Sequence, residues 1–289
     1  MDLFGSDTLE NEIAKHEFGG KWTILKLDAL EKYLSAYTTA LSRQKLKLVY
    51  IDAFAGTGRG DVTLDGEQTI IEGSAYRALN TSPPFQKYYF IEKSSTKVDS
   101  LKKLVSRAEQ NTQIIHGDAN IVLKDICAAT DWKNTRAVLF LDPKGMQVKW
   151  STLEAVAQTR AIDVWYLFPY SGLYRQTPRE TIQIDDHKEN SITRLLGTDE
   201  WKQVFYAPRP QLDLFSDERV IRSATHQDML KYVSKRLKTI FPAVAEPKIL
   251  YQQSGDKGSP LFALYFAAAN PEPKANGLAL KIARHILKM

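Results

Sequence analysis

Short apolar runs alternate along most of the chain with segments in which apolar residues recur every three or four positions. Apolar runs of this kind are typical of buried strands, and the periodic segments are typical of amphipathic helices. Seven runs predict strands, at 46–54, 87–92, 112–117, 136–142, 162–169, 247–253 and 261–268. Helices are predicted at 20–43, 74–80, 95–109, 120–129, 150–159 and 224–240. In the first helix we expect a buried face that contains Leu25, Leu27, Leu30, Tyr33 and Leu34.

The alternation of strands and helices predicts an α/β fold with a doubly wound, mostly parallel sheet of seven strands. Between the fifth and sixth predicted strands lie roughly 55 residues more than a crossover helix needs. Their helical and Pro-rich pattern predicts a small insertion beside the carboxyl edge of the sheet, where ligands bind in this architecture. We therefore divide the chain into a flexible N-terminus (1–14), a Rossmann-like domain (15–170 and 226–289) and an inserted subdomain (171–225) that binds a substrate or a partner.

The first predicted strand runs into the sequence YIDAFAGTGRG, residues 50–60. Gly56 and Gly58 let the backbone pass close to a ligand. The lysine and hydroxyl residue that a nucleoside triphosphate loop needs are missing. Asp52 would repel a pyrophosphate, which argues against a nicotinamide dinucleotide, but its carboxylate can pair with the ammonium of an amino-acid-bearing ligand. S-adenosylmethionine has an ammonium and a sulfonium and no phosphate, so it is the candidate cofactor.

Three further acidic residues lie at the ends of the next three predicted strands. Each of these acids can also be explained simply as part of a turn or as a helix cap. Glu92 can accept hydrogen bonds from both hydroxyls of a ribose. Asp118 can accept from the exocyclic amine of adenine, and Asp142 faces the reactive end of such a pocket. Because the carboxyl ends of parallel strands meet at one edge of a sheet, the four acids together predict a nucleoside-binding site.

Charge and composition limit the remaining functions. The chain has 289 residues and a net charge of +5, and residues 171–289 hold 18 basic against 13 acidic residues. This excess is typical of a nucleic-acid-binding surface, although interleaved charges also occur on ordinary solvated helices. The single cysteine, Cys127, is expected in the core, and the five histidines have no metal-site spacing. We expect a cytoplasmic protein without membrane contacts, because no apolar run is long enough for a span and the first residues do not resemble a signal peptide.

Several motifs resemble known families. DAFAGTG at 52–58 is similar to the first motif of class I S-adenosylmethionine-dependent methyltransferases, and DPKG at 142–145 resembles their Asp-Pro-Pro-Tyr motif. More narrowly, KWTILKLDALEKYL, EGSAYRAL, FIEKS, LLGTDEW and the closing LFALYFAAANPEPKANGLALKIARHIL resemble, in order, the three-Cys-motif partner (TcmP) family. That resemblance covers nearly the whole chain after residue 14. It implies a class I methyltransferase fold and a three-Cys-motif protein as partner.

The resemblance also implies roles for residues. Phe54 belongs to the cofactor-binding motif with Asp52, Gly56 and Gly58, whereas Asp142, Pro143 and Lys144 belong to the loop that holds a target nitrogen in amino-methyltransferases. That loop normally carries an aromatic residue that stacks on the target base, and here Lys144 and Gly145 occupy the last two motif positions. Phe168 or Tyr170 can replace the aromatic residue, or both can be packing residues.

Two further features bear on the site. Residues 61–72 separate the glycines from the next helix, and they form either a flap that folds outward or a segment that fills the pocket. Lys21, near the start of the first helix, is a candidate for binding the cofactor carboxylate. A solvent-facing lysine is the alternative.

Three hypotheses follow from the sequence. The first is a methyltransferase that methylates a nitrogen of a nucleic acid, DNA or RNA, with residues 171–225 holding the substrate. The second is a methyltransferase-fold binding or regulatory subunit with little turnover. The third, a nicotinamide-dependent oxidoreductase, conflicts with Asp52.

Overall fold

The computed structural model of the chain describes residues 6–64, 67–106, 108, 110–208, 220–251 and 258–289, with the backbone alone for residues 6–21, 61–64 and 67–68. The strands are β1 (Lys47–Asp52), β2 (Arg59–Leu64), β3 (Glu67–Glu72), β4 (Lys87–Glu92), β5 (Thr112–His116), β6 (Thr135–Leu141), β7 (Ile162–Phe168), β8 (Tyr206–Pro208), β9 (Val220–Arg222), β10 (Ala243–Val244), β11 (Lys248–Tyr251) and β12 (Pro260–Ala268).

The helices are α1 (Ser6–Leu41), α2 (Ser74–Leu79), α3 (Ser95–Val105), α4 (Ala119–Ala129), α5 (Trp150–Gln158), α6 (Tyr170–Gln176), α7 (Asp186–Leu196), α8 (Trp201–Phe205), α9 (His226–Lys238) and α10 (Pro273–Lys288), with a 3-10 turn at Thr181–Gln183. The six helices predicted from periodicity are confirmed, with shifts at their ends. The sequence pattern gave no predicted bounds for four helices, α6, α7, α8 and α10.

The central sheet has the order β5-β4-β1-β6-β7-β12, with β10 and β11 both paired to β12. β1, β4, β5, β6 and β7 are parallel to one another, and β12 is antiparallel to β7. Because β7 occupies one edge of β12, the short strands β10 and β11 follow each other along its other edge. The sheet is therefore seven strands wide, and the predicted doubly wound, mostly parallel fold is confirmed.

The core lies on both faces of this sheet, because the central strands are buried on both sides. Alternate residues of one strand go to opposite faces: Leu139 packs with side chains of α4, α5 and α9, whereas Phe140 packs with side chains of α1, α2 and α10. These two helical layers hold the strand ends in place at the carboxyl edge.

The first helix differs from its prediction in two ways. α1 begins at Ser6, because no proline interrupts residues 6–41 and the pair Gly19-Gly20 lowers helix propensity without ending the helix. It therefore includes residues 6–19, which precede the helix start predicted at residue 20. The prediction that Leu25 is buried is wrong, since its side chain is 45% exposed. At roughly 100° per residue, Leu25 lies outside the buried stripe that contains Leu30, Tyr33 and Leu34.

The insertion between β7 and the next strand of the sheet contains α6, α7, α8 and the hairpin β8–β9. Its described apolar side chains pack with the main domain: Ile192, Leu195 and Trp201 belong to the same buried cluster as Leu139 of β6 and Leu153 of α5. The predicted helical insertion is therefore present, and it packs onto one face of the sheet.

Candidate functional site

A cavity of about 700 Å³ lies at the carboxyl edge of the sheet. Its walls come from the loops that follow β1, β4, β5 and β6, with additional side chains from α1, α7 and β12. β1 and β6 are neighbours whose connections leave in opposite directions, and ligands bind at such a switch point in doubly wound sheets.

Seven of the ten residues predicted from the sequence line this cavity: Phe54, Gly56, Glu92, Asp118, Asp142, Pro143 and Lys144. Asp52 and Gly58 do not line it. The side chain of Lys21 lies outside the described part of the chain. The topology thus brings together acids that are separated by up to 50 positions in the sequence, from Glu92 to Asp142.

Glu92 is held against the glycine loop by its own hydrogen bonds. The backbone N–H of Gly56 donates to Oε2 at 3.0 Å, and the N–H of Ser94 donates to Oε1 at 2.8 Å. A carboxylate has about four acceptor positions, so each oxygen can still accept one bond from a ligand. The loop therefore orients Glu92 without using up its capacity to bind.

Gly56 and Gly58 have different surroundings, although both have positive φ angles, +63° and +77°. A Cβ atom on Gly56 would have no heavy atom within 4 Å, so open space lies beside this part of the loop. A Cβ atom on Gly58 would lie 2.4 Å from Cδ2 of Leu104, a residue of α3. Gly56 therefore leaves room for a ligand, whereas Gly58 allows the loop to pack against α3.

Asp52 is completely buried behind the cavity wall. Its carboxylate accepts hydrogen bonds from the N–H of Phe54 at 3.2 Å and the hydroxyl of Tyr50 at 3.3 Å. Burial raises the pKa of Asp52 to about 7, although hydrogen bonds from Ser74 and Phe54 oppose that rise. This position differs from the expectation that Asp52 pairs with a ligand ammonium, because the carboxylate braces the start of the glycine loop.

Asp118 caps helix α4. Its Oδ1 accepts from the backbone N–H of Asn120 at 2.9 Å and from Nδ2 of Asn120 at 3.0 Å, and Oδ2 is 3.5 Å from Nζ of Lys93. Partial burial acts to raise the pKa of Asp118, but the bonds from Asn120 and the charge of Lys93 outweigh it and lower the pKa. Asp118 is therefore ionised at neutral pH and available at the cavity wall as an acceptor.

Asn120 connects this cap to the loop after β6. Its Nδ2 donates to the carbonyl oxygen of Gln147, and its Oδ1 accepts from the N–H of Lys149 and the hydroxyl of Thr152. These bonds fix the position of the DPKG loop relative to Asp118. No role was predicted for Asn120 from the sequence. Its position two residues after the capping aspartate, Asp118, was the feature that could have indicated one.

Asp142 forms an ion pair with a buried lysine. Nζ of Lys26 lies 2.5 Å from Oδ2 of Asp142, and the Lys26 side chain is 8% exposed. The same ammonium lies 4.7 Å from the centre of the Trp22 ring. Lys21 was predicted as the α1 lysine of the site, but its side chain lies outside the described residues; Lys26 is the α1 lysine whose described side chain lines the cavity. Its place in the middle of the apolar stripe was the signal, since a lysine there must have a partner.

The DPKG loop has a buried and an exposed half. Pro143 is buried, whereas Lys144 and Gly145 are exposed at the cavity rim. Gly145 has φ +71°, and the N–H of Lys144 donates to Oε1 of Gln147 at 3.2 Å. The Lys144 side chain is therefore at the solvent side of the cavity.

Neither proposed replacement for the missing aromatic residue is accessible. Phe168 is 2% exposed and Tyr170 is completely buried, so both are core residues that cannot stack on a ligand. Trp22, Phe54 and Phe262 line the cavity instead, and the rings of Trp22 and Phe262 are 4.7 Å apart. Phe54 belongs to the glycine-rich motif, whereas Trp22 and Phe262 come from distant parts of the chain, which is why that local motif did not reveal them.

Strands β2 and β3 pair with each other in a two-stranded sheet that is separate from the central one. Strand β2 lies against α1, and Arg59 and Gly60 at its start contribute to the cavity wall. The described part of this segment therefore borders the cavity at one side, and the cavity remains open beside it.

Basic side chains outnumber acidic ones around the cavity. Three acids, Glu92, Asp118 and Asp142, face seven basic residues: Lys26, Arg59, Lys93, Lys97, Lys144, Lys149 and Arg194. Apart from Lys26, which is buried against Asp142, these cations belong to the rim of the cavity. Arg194 comes from α7, so the insertion contributes directly to the wall.

Two kinds of site have no counterpart in the described residues. None of their helices is both long and apolar enough to cross a membrane. Their His, Cys, Asp and Glu side chains also form no group of three or more that could hold a metal ion. Cys127 is partly buried beside the core, and burial raises the pKa of its thiol to about 12.

No family model matches the sequence, and no curated protein matches it either. Among solved structures, protein LPL1258 from Legionella pneumophila, assigned to the family model DUF519, is similar with a TM-score of 0.50 and 13% identity over 91% of each chain. At this identity the similarity concerns the fold alone.

Two further solved structures are more distant. An S-adenosylmethionine-dependent methyltransferase from Clostridium acetobutylicum has 10% identity and a TM-score of 0.37, with 83% of this chain and 91% of that chain covered. An rRNA methylase from Streptococcus thermophilus has 14% identity and a TM-score of 0.28, and the match covers 68% of this chain and 90% of that chain. Both TM-scores are below 0.5, and no property of either protein is assigned to this chain.

Proposed function

We propose that the chain is an S-adenosylmethionine-dependent methyltransferase that methylates a nitrogen atom of a nucleic acid. The observation that carries this proposal is the combination of three strand-end acids inside the cavity with a rim of basic side chains around it. The acids suit a nucleoside-bearing cofactor without phosphates, and the basic rim suits a substrate with a phosphate backbone.

The chain offers residues that fit the cofactor. Glu92 keeps two acceptor positions for ribose hydroxyls, Asp118 is an ionised acceptor for an adenine amine, and the open space beside Gly56 admits the amino-acid portion. Phe54 adds an apolar wall. When bound, S-adenosylmethionine supplies an electrophilic methyl group on a sulfonium. The fit therefore rests on two acids, an aromatic side chain and the glycine loop.

Asp142 has the chemistry to orient the target nitrogen. A carboxylate has about four acceptor positions, so Asp142 can accept an N–H of the substrate while it stays paired with Lys26. An amine that donates its hydrogens to fixed acceptors keeps its lone pair directed at the methyl group, so positioning contributes most of the catalysis. The methylated nitrogen can release its extra proton to water, and no catalytic base is required.

The cofactor is tested by calorimetric titration with S-adenosylmethionine and S-adenosylhomocysteine, with NAD and ATP as controls. We expect saturable binding of the first two alone. Glu92→Gln should weaken binding by at least about tenfold, because a hydrogen bond to a charged group contributes ~1.5–3 kcal/mol. Binding of NAD instead would contradict the proposal and favour the oxidoreductase hypothesis.

Turnover is tested by transfer of a labelled methyl group to DNA, RNA and protein fractions. Asp142→Asn is the suitable variant, because the amide oxygen still accepts a bond from buried Lys26. It should retain cofactor binding and lose at least about 99% of turnover. Equal loss of binding in the Glu92 and Asp142 variants would contradict this division of roles.

The resemblance to the three-Cys-motif partner family suggests one further arm for that assay. The transfer reaction is repeated with a three-Cys-motif protein added, since such a partner can complete the substrate site. Cofactor binding without transfer in either reaction would support the alternative, a methyltransferase-fold binding subunit.

A further inference from the structure

A second cavity, of about 600 Å³, lies at the opposite edge of the sheet from the candidate active site. It is bounded by the end of α1, the start of α10 and the amino ends of β6 and β7. Most of its wall is apolar, with Leu41, Leu46 and Ile282 among the contributors. A concave apolar pocket with a few convergent polar groups is the usual form of a small-molecule site.

Asp163 is the buried one of seven polar residues that line this cavity, the others being Gln44, Arg136, Asn270, Glu272, Lys274 and Asn276. It is the one charged residue of β7, a strand whose seven residues are all buried, and it is 8% exposed. The hydroxyl of Tyr33 donates to its Oδ2 at 2.6 Å. Burial raises the pKa of Asp163 to about 7, which the Tyr33 bond and the charge of Arg136 oppose. The carboxylate is thus held in an apolar setting with most of its acceptor positions available.

No cation of the described chain contacts this carboxylate at ion-pair distance. Arg136 is the nearest charge that acts on Asp163, but its guanidinium donates to the carbonyl oxygens of Trp132 and Thr135 at 2.9 and 2.8 Å. Those bonds direct the guanidinium toward the backbone. Buried carboxylates usually have a paired cation, so Asp163 lacks the partner that its position calls for.

Tyr37 provides an independent observation. Its side chain lines the same cavity and is 7% exposed, and within the described residues its hydroxyl has no hydrogen-bond partner. This hydroxyl is not fully enclosed by protein atoms, so it can bond a ligand in the cavity. Tyr37 follows Tyr33 by one helical turn, and the two rings are 5.9 Å apart, so its hydroxyl lies on the same side of α1 as the Asp163 pair. A ligand with a polar end would satisfy both groups at once.

We propose that this cavity is a second ligand site, which binds a small amine carried on an apolar ring. The ammonium donates to Asp163 and Tyr37, and the ring packs against the apolar walls from α1 and α10. The site is separate from the candidate active site, since the two cavities share no lining residue and lie at opposite ends of β6 and β7.

The test uses tryptamine as the probe and tryptophol, in which a hydroxyl replaces the ammonium, as the matched neutral compound. Binding to the isotope-labelled full chain is followed by NMR chemical shifts. We expect saturable shifts for residues of the cavity with tryptamine, with a Kd of about 1 mM or lower, and at least about tenfold weaker binding of tryptophol. Equal binding of the two compounds, or shifts confined to other surfaces, would overturn the proposal.

Two variants sharpen this test. Asp163→Asn keeps an acceptor for Tyr33 and should remove the preference for tryptamine. Ala40→Trp fills the cavity from an exposed position of α1 and should abolish binding of both compounds, whereas Ala36→Trp, one turn earlier on the same helix and outside the cavity, should leave it unchanged. Unaltered tryptamine binding in Ala40→Trp would contradict the assignment even where Asp163→Asn does not fold.

Discussion

At the residue scale, burial separates the four strand-end acids into two kinds. Glu92, Asp118 and Asp142 line the cavity, each with a hydrogen-bond or ion-pair partner that orients it. Asp52 precedes them in the motif but lies behind the wall. One glycine-rich motif therefore contains both a glycine that borders the cavity and a buried carboxyl group, which sequence spacing does not distinguish.

The pH dependence of stability tests the position of Asp52. Burial raises its pKa from 3.8 to about 7, so between these values the folded chain keeps a proton that the unfolded chain has lost. The resulting stabilisation is present at low pH and is lost as the pH rises through about 7. Relative to Asp52→Asn, the wild type should lose ~3 kcal/mol of unfolding free energy between about pH 5 and about pH 8.

Urea unfolding of both proteins at the two pH values measures this difference. The comparison with the variant removes the parallel titration of Asp163, whose pKa burial also raises to about 7. A difference between wild type and Asp52→Asn that does not change with pH would show that Asp52 is ionised in the folded chain and closer to solvent.

At the element scale, the insertion owes its position to helix ends that pack on the main domain. Gly197 follows the last residue of helix α7 as its C-cap. It has φ +71° and lies directly against the ring of Trp150 at the start of α5. Nε of Arg236 on α9 donates to the carbonyl oxygen of Leu196 at 3.0 Å, and its guanidinium also lies 4.6 Å from the Trp150 ring. This junction holds α7, and with it Arg194, beside the cavity.

Gly197→Ala should disrupt that junction. The new Cβ would lie 2.0 Å from Cδ1 of Trp150, and a left-handed conformation costs a non-glycine residue ~1–2 kcal/mol before any clash. We expect a loss of ~2–4 kcal/mol of unfolding free energy, measured by chemical denaturation.

Gly277→Ala is the matched control for this substitution. Gly277 lies inside α10, where a Cβ would meet no atom within 4 Å, so alanine should stabilise the chain by ~0.5–1 kcal/mol. A Gly197→Ala variant as stable as the wild type would mean that α7 can move away from Trp150.

At the scale of the whole molecule, the two edges of the sheet have different chemistry. The carboxyl edge has a cavity with acids inside and cations at the rim, contributed by α1, the strand-end loops and α7. The amino edge has a mostly apolar cavity with a buried carboxyl group. Strands β6 and β7 connect the two, since Asp142 follows one end of β6 and Arg136 lies at its other end.

The basic rim predicts how nucleic acid binding depends on salt. Arg194→Ala should weaken binding of a single-stranded oligonucleotide, measured by fluorescence anisotropy, and reduce the slope of log K against log salt concentration by about 1. Arg284→Ala, on the exposed side of α10, should change neither quantity. The affinity for S-adenosylhomocysteine should be the same in the wild type, Arg194→Ala and Arg284→Ala. An equal effect of both substitutions on oligonucleotide binding would contradict a role for the rim.

The sequence by itself determined the layers of the fold and the edge at which the site lies. Hydrophobic periodicity located seven of the eight strands of the central sheet and six of the helices, because each strand and helix must bury its apolar side chains in a characteristic pattern. The strand-end position of Glu92, Asp118 and Asp142 then placed them together, since parallel strands share one carboxyl edge. These inferences require only local pattern and the general rules of parallel sheets.

The tertiary structure alone decided which residues face the cavity. It paired Lys26 with Asp142, buried Asp52, Phe168 and Tyr170, and brought Phe262 and Arg194 to the wall from distant segments. It also revealed the second cavity around Asp163 and Tyr37. The physical reason is that burial and direction of a side chain depend on the elements packed against it, and those contacts join residues far apart in the chain.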